Sequence, residues 1–198
     1  PERYHPDLDT PLHGVVRPPA SLQADYHTAH SPRTLIAVAP GDPFNPTTFS
    51  GYSAHLFTAL RDCGMESHPI SSRSIRWHDA LTGALRPGSL LRGRARQRQT
   101  SVINPDWYWS ERGFERFCRR FDRELEAVEG PLDILQVGTQ VLTRRPDTRL
   151  FCVTDSTVVQ AVKAGGYAVC RASDRVVDEA VNCQADVFHS STRVFTLS

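Results

Sequence analysis

Along residues 34–198, short apolar runs of strand length alternate with longer segments of helical period, and this alternation limits the fold more than any other feature of the chain. Thr34-Leu35-Ile36-Ala37-Val38-Ala39-Pro40 is apolar almost throughout, as a strand covered on both faces of a parallel sheet must be. The stretch Gly41-Asp42-Pro43-Phe44-Asn45-Pro46-Thr47-Thr48-Phe49-Ser50-Gly51 is dense in turn formers. Beyond it Leu56, Ala59, Leu60 and Cys63 recur at helical spacing, and Gly64 supplies a C-terminal stop. Residues 65–70 fit a second strand. Strand, glycine-bearing loop, helix and strand in this order open a doubly wound sheet.

The same alternation continues toward the C-terminus. After Asn104-Pro105, the residues Phe114, Phe117, Cys118, Phe121, Leu125 and Val128 form one apolar stripe, with Arg and Glu around the remaining face as a solvated surface. Gly130-Pro131 ends that helix. Asp133-Ile134-Leu135-Gln136-Val137-Gly138-Thr139 and Leu150-Phe151-Cys152-Val153-Thr154-Asp155 read as buried strands. Ser156-Thr157 can cap a following helix that carries Val158, Val159 and Val162 and closes at Gly165-Gly166. A last helix over about 174–190 offers Val177, Ala180, Val181 and Phe188, and residues 194–198 make a final strand. The expected architecture is α/β, a Rossmann-like, mostly parallel sheet with helices on both faces. Residues 1–33, rich in Pro and His, read as an extended arm; His27 and His30 have no Cys, Asp or Glu cluster to complete a metal site.

Composition narrows the function classes. The 198 residues carry a formal charge of +1, with 39% hydrophobic and 23% charged residues, which suits one globular domain and excludes a wholly disordered chain. No apolar run approaches the roughly 20 residues that cross a bilayer, so an integral membrane protein is not expected. Residues 1–5 are polar and proline-broken, unlike a secretory signal. The five cysteines follow no C-x-x-C spacing and each lies in an apolar stretch, as buried reduced thiols in the cytoplasm would. Lys163 is the only lysine, so the positive charge is arginine; the run Arg86, Arg92, Arg94, Arg96, Arg98 reads as an exposed basic loop or an anion site.

In such sheets ligands bind beyond the carboxyl ends of the strands. That rule selects the loop 41–52, Gly138-Thr139, Thr154-Asp155 and Ser198. Ser50-Gly51-Tyr52 stands where backbone N–H groups at a helix start can meet a phosphate or sugar oxygen. Neither G-x-G-x-x-G nor G-x-x-x-x-G-K-[ST] occurs, which argues against a standard dinucleotide fold and a P-loop NTPase. No G-x-S-x-G elbow occurs either, so a serine nucleophile is not expected. Asp155 at the exit of a strand can orient a hydroxyl or act as a base, and the same position suits helix capping; both readings stand.

Three stretches together resemble the N-terminal lobe of B-type, family 4-like retaining glycosyltransferases, the group that includes sucrose and glycogen synthases and mannosyltransferases. The first runs from Asp42-Pro43-Phe44 through Ser50-Gly51-Tyr52 to Asp62-Cys63-Gly64; the second is Phe151-Cys152-Val153-Thr154-Asp155-Ser156-Thr157; the third joins Asp178-Glu179-Ala180, Ala185-Asp186 and Val194-Phe195-Thr196-Leu197-Ser198. The resemblance implies a Rossmann-like acceptor-side lobe over 34–198, with the donor-binding C-terminal lobe and its paired glutamates absent from this chain. It implies transfer of a sugar from a nucleotide-sugar donor to an acceptor, with retention, by electrostatic stabilisation and without a metal. Asp155 would be the catalytic residue, and Ser50, Gly51, Tyr52, Gly138, Thr139 and Thr154 would contact acceptor or phosphate. The implied partners are the missing lobe and a sugar acceptor, not nucleic acid, with room for peripheral membrane association of the full protein; no cofactor is implied beyond the donor substrate. The chain alone is expected to be inactive. A non-catalytic α/β ligand- or partner-binding domain is the alternative, and a nucleic-acid module using Arg86–Arg98 would instead show steep salt dependence.

Overall fold

The computed structural model describes residues 33–47, 51–72, 104–165 and 167–196. The arm apart from Arg33, His27, His30, the Arg86–Arg98 run, Ser50, Gly166 and Ser198 lie outside the described residues. Among the described residues, β1 (Thr34–Ala39), β2 (Ser67–Ser71), β3 (Leu132–Val137), β4 (Thr148–Thr154) and β5 (Arg193–Thr196) form one all-parallel sheet in the order β2-β1-β3-β4-β5. The helices are α1 (Tyr52–Asp62), α2 (Pro105–Tyr108), α3 (Glu111–Leu125), α4 (Val158–Ala164) and α5 (Asp174–Ser190), with a 3-10 turn at Ala168–Arg171. The fold is α/β and Rossmann-like. Its strand order reverses between β1 and β3, which opens a crevice at their carboxyl ends.

Alternate residues of β1 feed two cores. Ile36 and Val38 pack with Trp107, Phe117, Phe121 and Leu125 of α2 and α3 and with Val187 of α5. Ala37 points the other way, to Phe57 of α1 and Val137 of β3. Helices therefore cover both faces, and Phe57, Phe117 and Phe121 are fully buried, each contributing about 1.5–3 kcal/mol from area removed from water.

Several seams differ from the expected ones. On α1 the buried face is Ser53, Ala54 and Phe57, while Ala59 and Cys63 are exposed. Phe57, the largest apolar residue of the helix, seats on the sheet and turns the seam one residue past Leu56. On α5 the buried residues are Val176, Ala180, Cys183, Gln184 and Val187, with Val177, Val181 and Phe188 half-buried. That helix packs on both α3 and α4, which widens and rotates its seam. The helix expected after Asn104-Pro105 is two helices: Ser110 breaks it and caps α3, its Oγ accepting from Gly113 N at 3.1 Å and donating to Trp107 O at 2.8 Å. Arg120 is not on a solvated face. It is buried, donates to Ser72 O at 3.0 Å and lies over the Phe117 ring at 5.7 Å, tying α3 to the end of β2. Of the five free thiols, Cys63 and Cys170 are exposed rather than buried.

The amino ends of the central strands are clamped by charge. Asp133 of β3 accepts from Arg33 Nε at 2.6 Å and from Arg149 of β4 at 2.8 and 2.5 Å. Arg33, expected in the arm, also donates to Leu132 O and Asp147 O at 2.7 Å each and so belongs to the sheet. Burial pushes the Asp133 carboxyl up, but the hydrogen bonds and charges of Arg149 and Arg33 outweigh it and hold it below its ordinary value. Among the described residues no helix is long and apolar enough to cross a membrane.

Candidate functional site

The opposite, carboxyl end of the sheet carries a cavity of about 360 Å³ where β1, β3 and β4 stop. Its shape begins with Gly138. The residue follows β3 at φ 80°, a left-handed conformation that a side chain resists, and a Cβ there would run into the Gln140 amide. Gly138 N donates to Val153 O at 2.7 Å, and its carbonyl accepts from the Cys152 thiol at 3.2 Å. Burial pushes the Cys152 pKa up to about 12, so that thiol stays protonated and serves as a donor, not a nucleophile. The buried Gln136 side chain holds the next residues: its oxygen accepts from Gln140 N at 2.9 Å and Val141 N at 3.1 Å.

The rest of the polar wall is tied together in the same way. Gln184 of α5 accepts from Val158 N at 2.8 Å and donates to Thr139 Oγ1 at 3.1 Å, joining three elements through one buried amide. Thr154 Oγ1 donates to Ser156 O at 2.8 Å. Thr157, not Asp155, caps α4: its hydroxyl accepts from Gln160 N at 3.2 Å while the Gln160 side chain accepts from Thr157 N at 2.8 Å. The choice between capping and site chemistry at Asp155 is thereby narrowed. Asp155 is exposed, and its Oδ1 accepts from Ser156 Oγ at 3.2 Å.

The remaining walls are apolar. Tyr108 and Trp109 stand edge to face with ring centroids 5.3 Å apart. Trp109 packs on a small core of Val158, Ala161, Val169 and Ala180 that floors the cavity. Tyr167 and Arg171 lie at the exposed rim.

Of the residues expected at a site, Gly138, Thr139, Thr154 and Asp155 converge on this cavity. Gly51 and Tyr52 do not line it: Tyr52 packs beside Phe57 on the opposite face of the sheet, and Ser50 lies outside the described residues. Pro40, at the exit of β1, is where the first loop reaches the cavity. The third stretch behind the resemblance has a structural use here. Glu179 Oε2 accepts from Glu111 N at 3.1 Å, placing a carboxylate on the α3 N-terminus, whereas Asp178 and Asp186 are exposed. Sequence reasoning missed Tyr108, Trp109, Tyr167, Arg171 and Gln184. Gln184 had a signal, being a polar residue within the apolar seam of α5; the aromatic residues had none, because their meeting depends on how α2 lies across the strand ends.

Among the described residues no three His, Cys, Asp or Glu side chains are grouped to hold a metal ion. Set against models of known protein families, curated proteins and solved structures, the chain matches none of them.

Proposed function

We propose that this chain is the acceptor-side lobe of a glycosyltransferase, with the cavity at the ends of β3 and β4 as the acceptor site. The observation that carries the reading is Asp155: it stands at the exit of a central strand, on the cavity wall, with its capping duty taken by Thr157. A carboxylate so placed can accept from an acceptor hydroxyl and orient its oxygen toward an electrophilic sugar carbon. A mostly apolar concavity with few polar groups is also the usual form of a small-molecule site. The nucleotide-sugar would be held by a second lobe, as the resemblance implies, and transfer would retain the anomeric configuration. The cytoplasm suits a protein with five free thiols.

The test is transfer. The full-length protein is incubated with a panel of nucleotide-sugars and a mixed acceptor pool, and products are read by mass spectrometry. A new glycoside that disappears with Asp155→Asn is expected. Absence of transfer from every donor, in protein shown to be folded, would retire the reading.

A further inference from the structure

Most polar atoms around the cavity are already engaged with one another. The Thr139 and Thr157 hydroxyls accept from Gln184 and Gln160, Thr154 donates to Ser156 O, and both ends of the Gln184 amide are used. Asp155 Oδ2, the Arg171 guanidinium and the Tyr167 hydroxyl, by contrast, have no hydrogen-bond partner among the described residues, and all three residues are exposed at the rim. The wall away from that rim is mainly the Tyr108–Trp109 ring pair and the aliphatic floor beneath it. A sugar seated against the inner wall would bring hydroxyls out of water on the side away from the rim, where the lining is mostly apolar. Each unmatched hydroxyl costs free energy, so a polyol is a poor occupant. A flat apolar body loses nothing on leaving water and gains contact with the rings.

Taking the acceptor-site reading as its basis, we infer that the cavity takes a planar apolar molecule bearing a hydroxyl, of the aromatic-alcohol class, rather than a free sugar. The ring system lies against Tyr108, Trp109 and the aliphatic floor. The hydroxyl donates to the Asp155 carboxylate at the end of β4. A volume of about 360 Å³ is ample for a fused ring pair.

The experiment is a binding titration of the 198-residue chain with 2-naphthol, 2-methoxynaphthalene and maltose, followed by saturation-transfer NMR and equilibrium dialysis. Asp155 is exposed and does not cap a helix, so Asp155→Asn keeps the fold, which a melting curve verifies. We expect 2-naphthol to bind at one site more tightly than maltose. Asp155→Asn should weaken it about tenfold, the scale of one hydrogen bond to a charged group, and leave 2-methoxynaphthalene within about twofold. Equal weakening of both aromatic probes, or none, overturns the assignment of the hydroxyl to Asp155. Maltose binding without 2-naphthol binding overturns the ligand class and leaves the acceptor-site reading standing. Binding of none of the three overturns both. Asp155-dependent naphthol binding in a full-length protein that transfers no sugar supports the ligand class and overturns the transferase reading.

Discussion

The Gln184 amide donates to the Thr139 hydroxyl at 3.1 Å, so a residue in the middle of α5 fixes the tip of β3, and the other end of the same amide receives Val158 N of α4. The cavity is thus braced from behind by a side chain that is buried and has no chemistry of its own. Gln184→Leu keeps the size and removes both bonds, stranding the Val158 N–H. We expect a loss of about 1–3 kcal/mol in urea unfolding, with ligand affinity falling in parallel. Unchanged stability would mean that the brace is incidental.

Gly138 and Gly64 separate backbone strain from site damage. Both have positive φ, at 80° and 83°, but a Cβ on Gly64 meets nothing within 4 Å, whereas one on Gly138 collides with the Gln140 side chain. Alanine at either position should cost about 1–2 kcal/mol from the left-handed backbone. Gly138→Ala additionally displaces the end of the Gln140 side chain from the cavity wall, so it alone should weaken ligand binding. Denaturant midpoints and a binding titration on the two variants check this.

Thr157→Ala should lower stability by about 1 kcal/mol, the usual value of an N-cap. Asp155→Ala should change it by less than about 0.5 kcal/mol, as for an exposed residue outside such features. Thermal melting compares them directly. The opposite ranking would return Asp155 to the cap.

The Arg33–Asp133–Arg149 cluster sets an acid limit. The folded Asp133 carboxyl titrates below its ordinary 3.8, so its contribution is whole above that value and is lost as pH falls through the lower, folded value. Asp133→Asn should destabilise the protein at neutral pH by about 1–3 kcal/mol, since it deprives two arginines of a partly buried partner. It should also flatten the stability profile below about pH 4. Denaturant unfolding at pH 7, 5, 4 and 3 measures both effects.

The fold was largely legible in the sequence. Runs such as 34–40 and 150–155 have room for a strand and no polar face for water, so they read as central strands, and the helical segments before β3 and after β4 point to parallel pairing, whereas β3 and β4 pair in parallel through a connection, 138–147, without a helix. What the sequence did not show was rotation and contact. The α1 seam is set by where Phe57 meets the sheet, and Arg120 is buried because the carbonyl of Ser72, distant in sequence, lies within reach of its guanidinium. The site was legible in part for the same reason. Strand exits can be found from strand ends, which yielded Gly138, Thr139, Thr154 and Asp155. Tyr108 and Trp109 reach the cavity through a four-residue helix whose placement no periodicity encodes.

The proposed action of the Asp155 charge on a bound hydroxyl at the end of β4 is tested most directly by kcat for sugar transfer by the full-length protein with Asp155→Asn, alongside its melting temperature. Asn keeps the shape and removes the charge. Turnover should fall about 100-fold or more, the scale of a positioned acid–base group, with melting unchanged. Turnover within twofold of the original protein would contradict it.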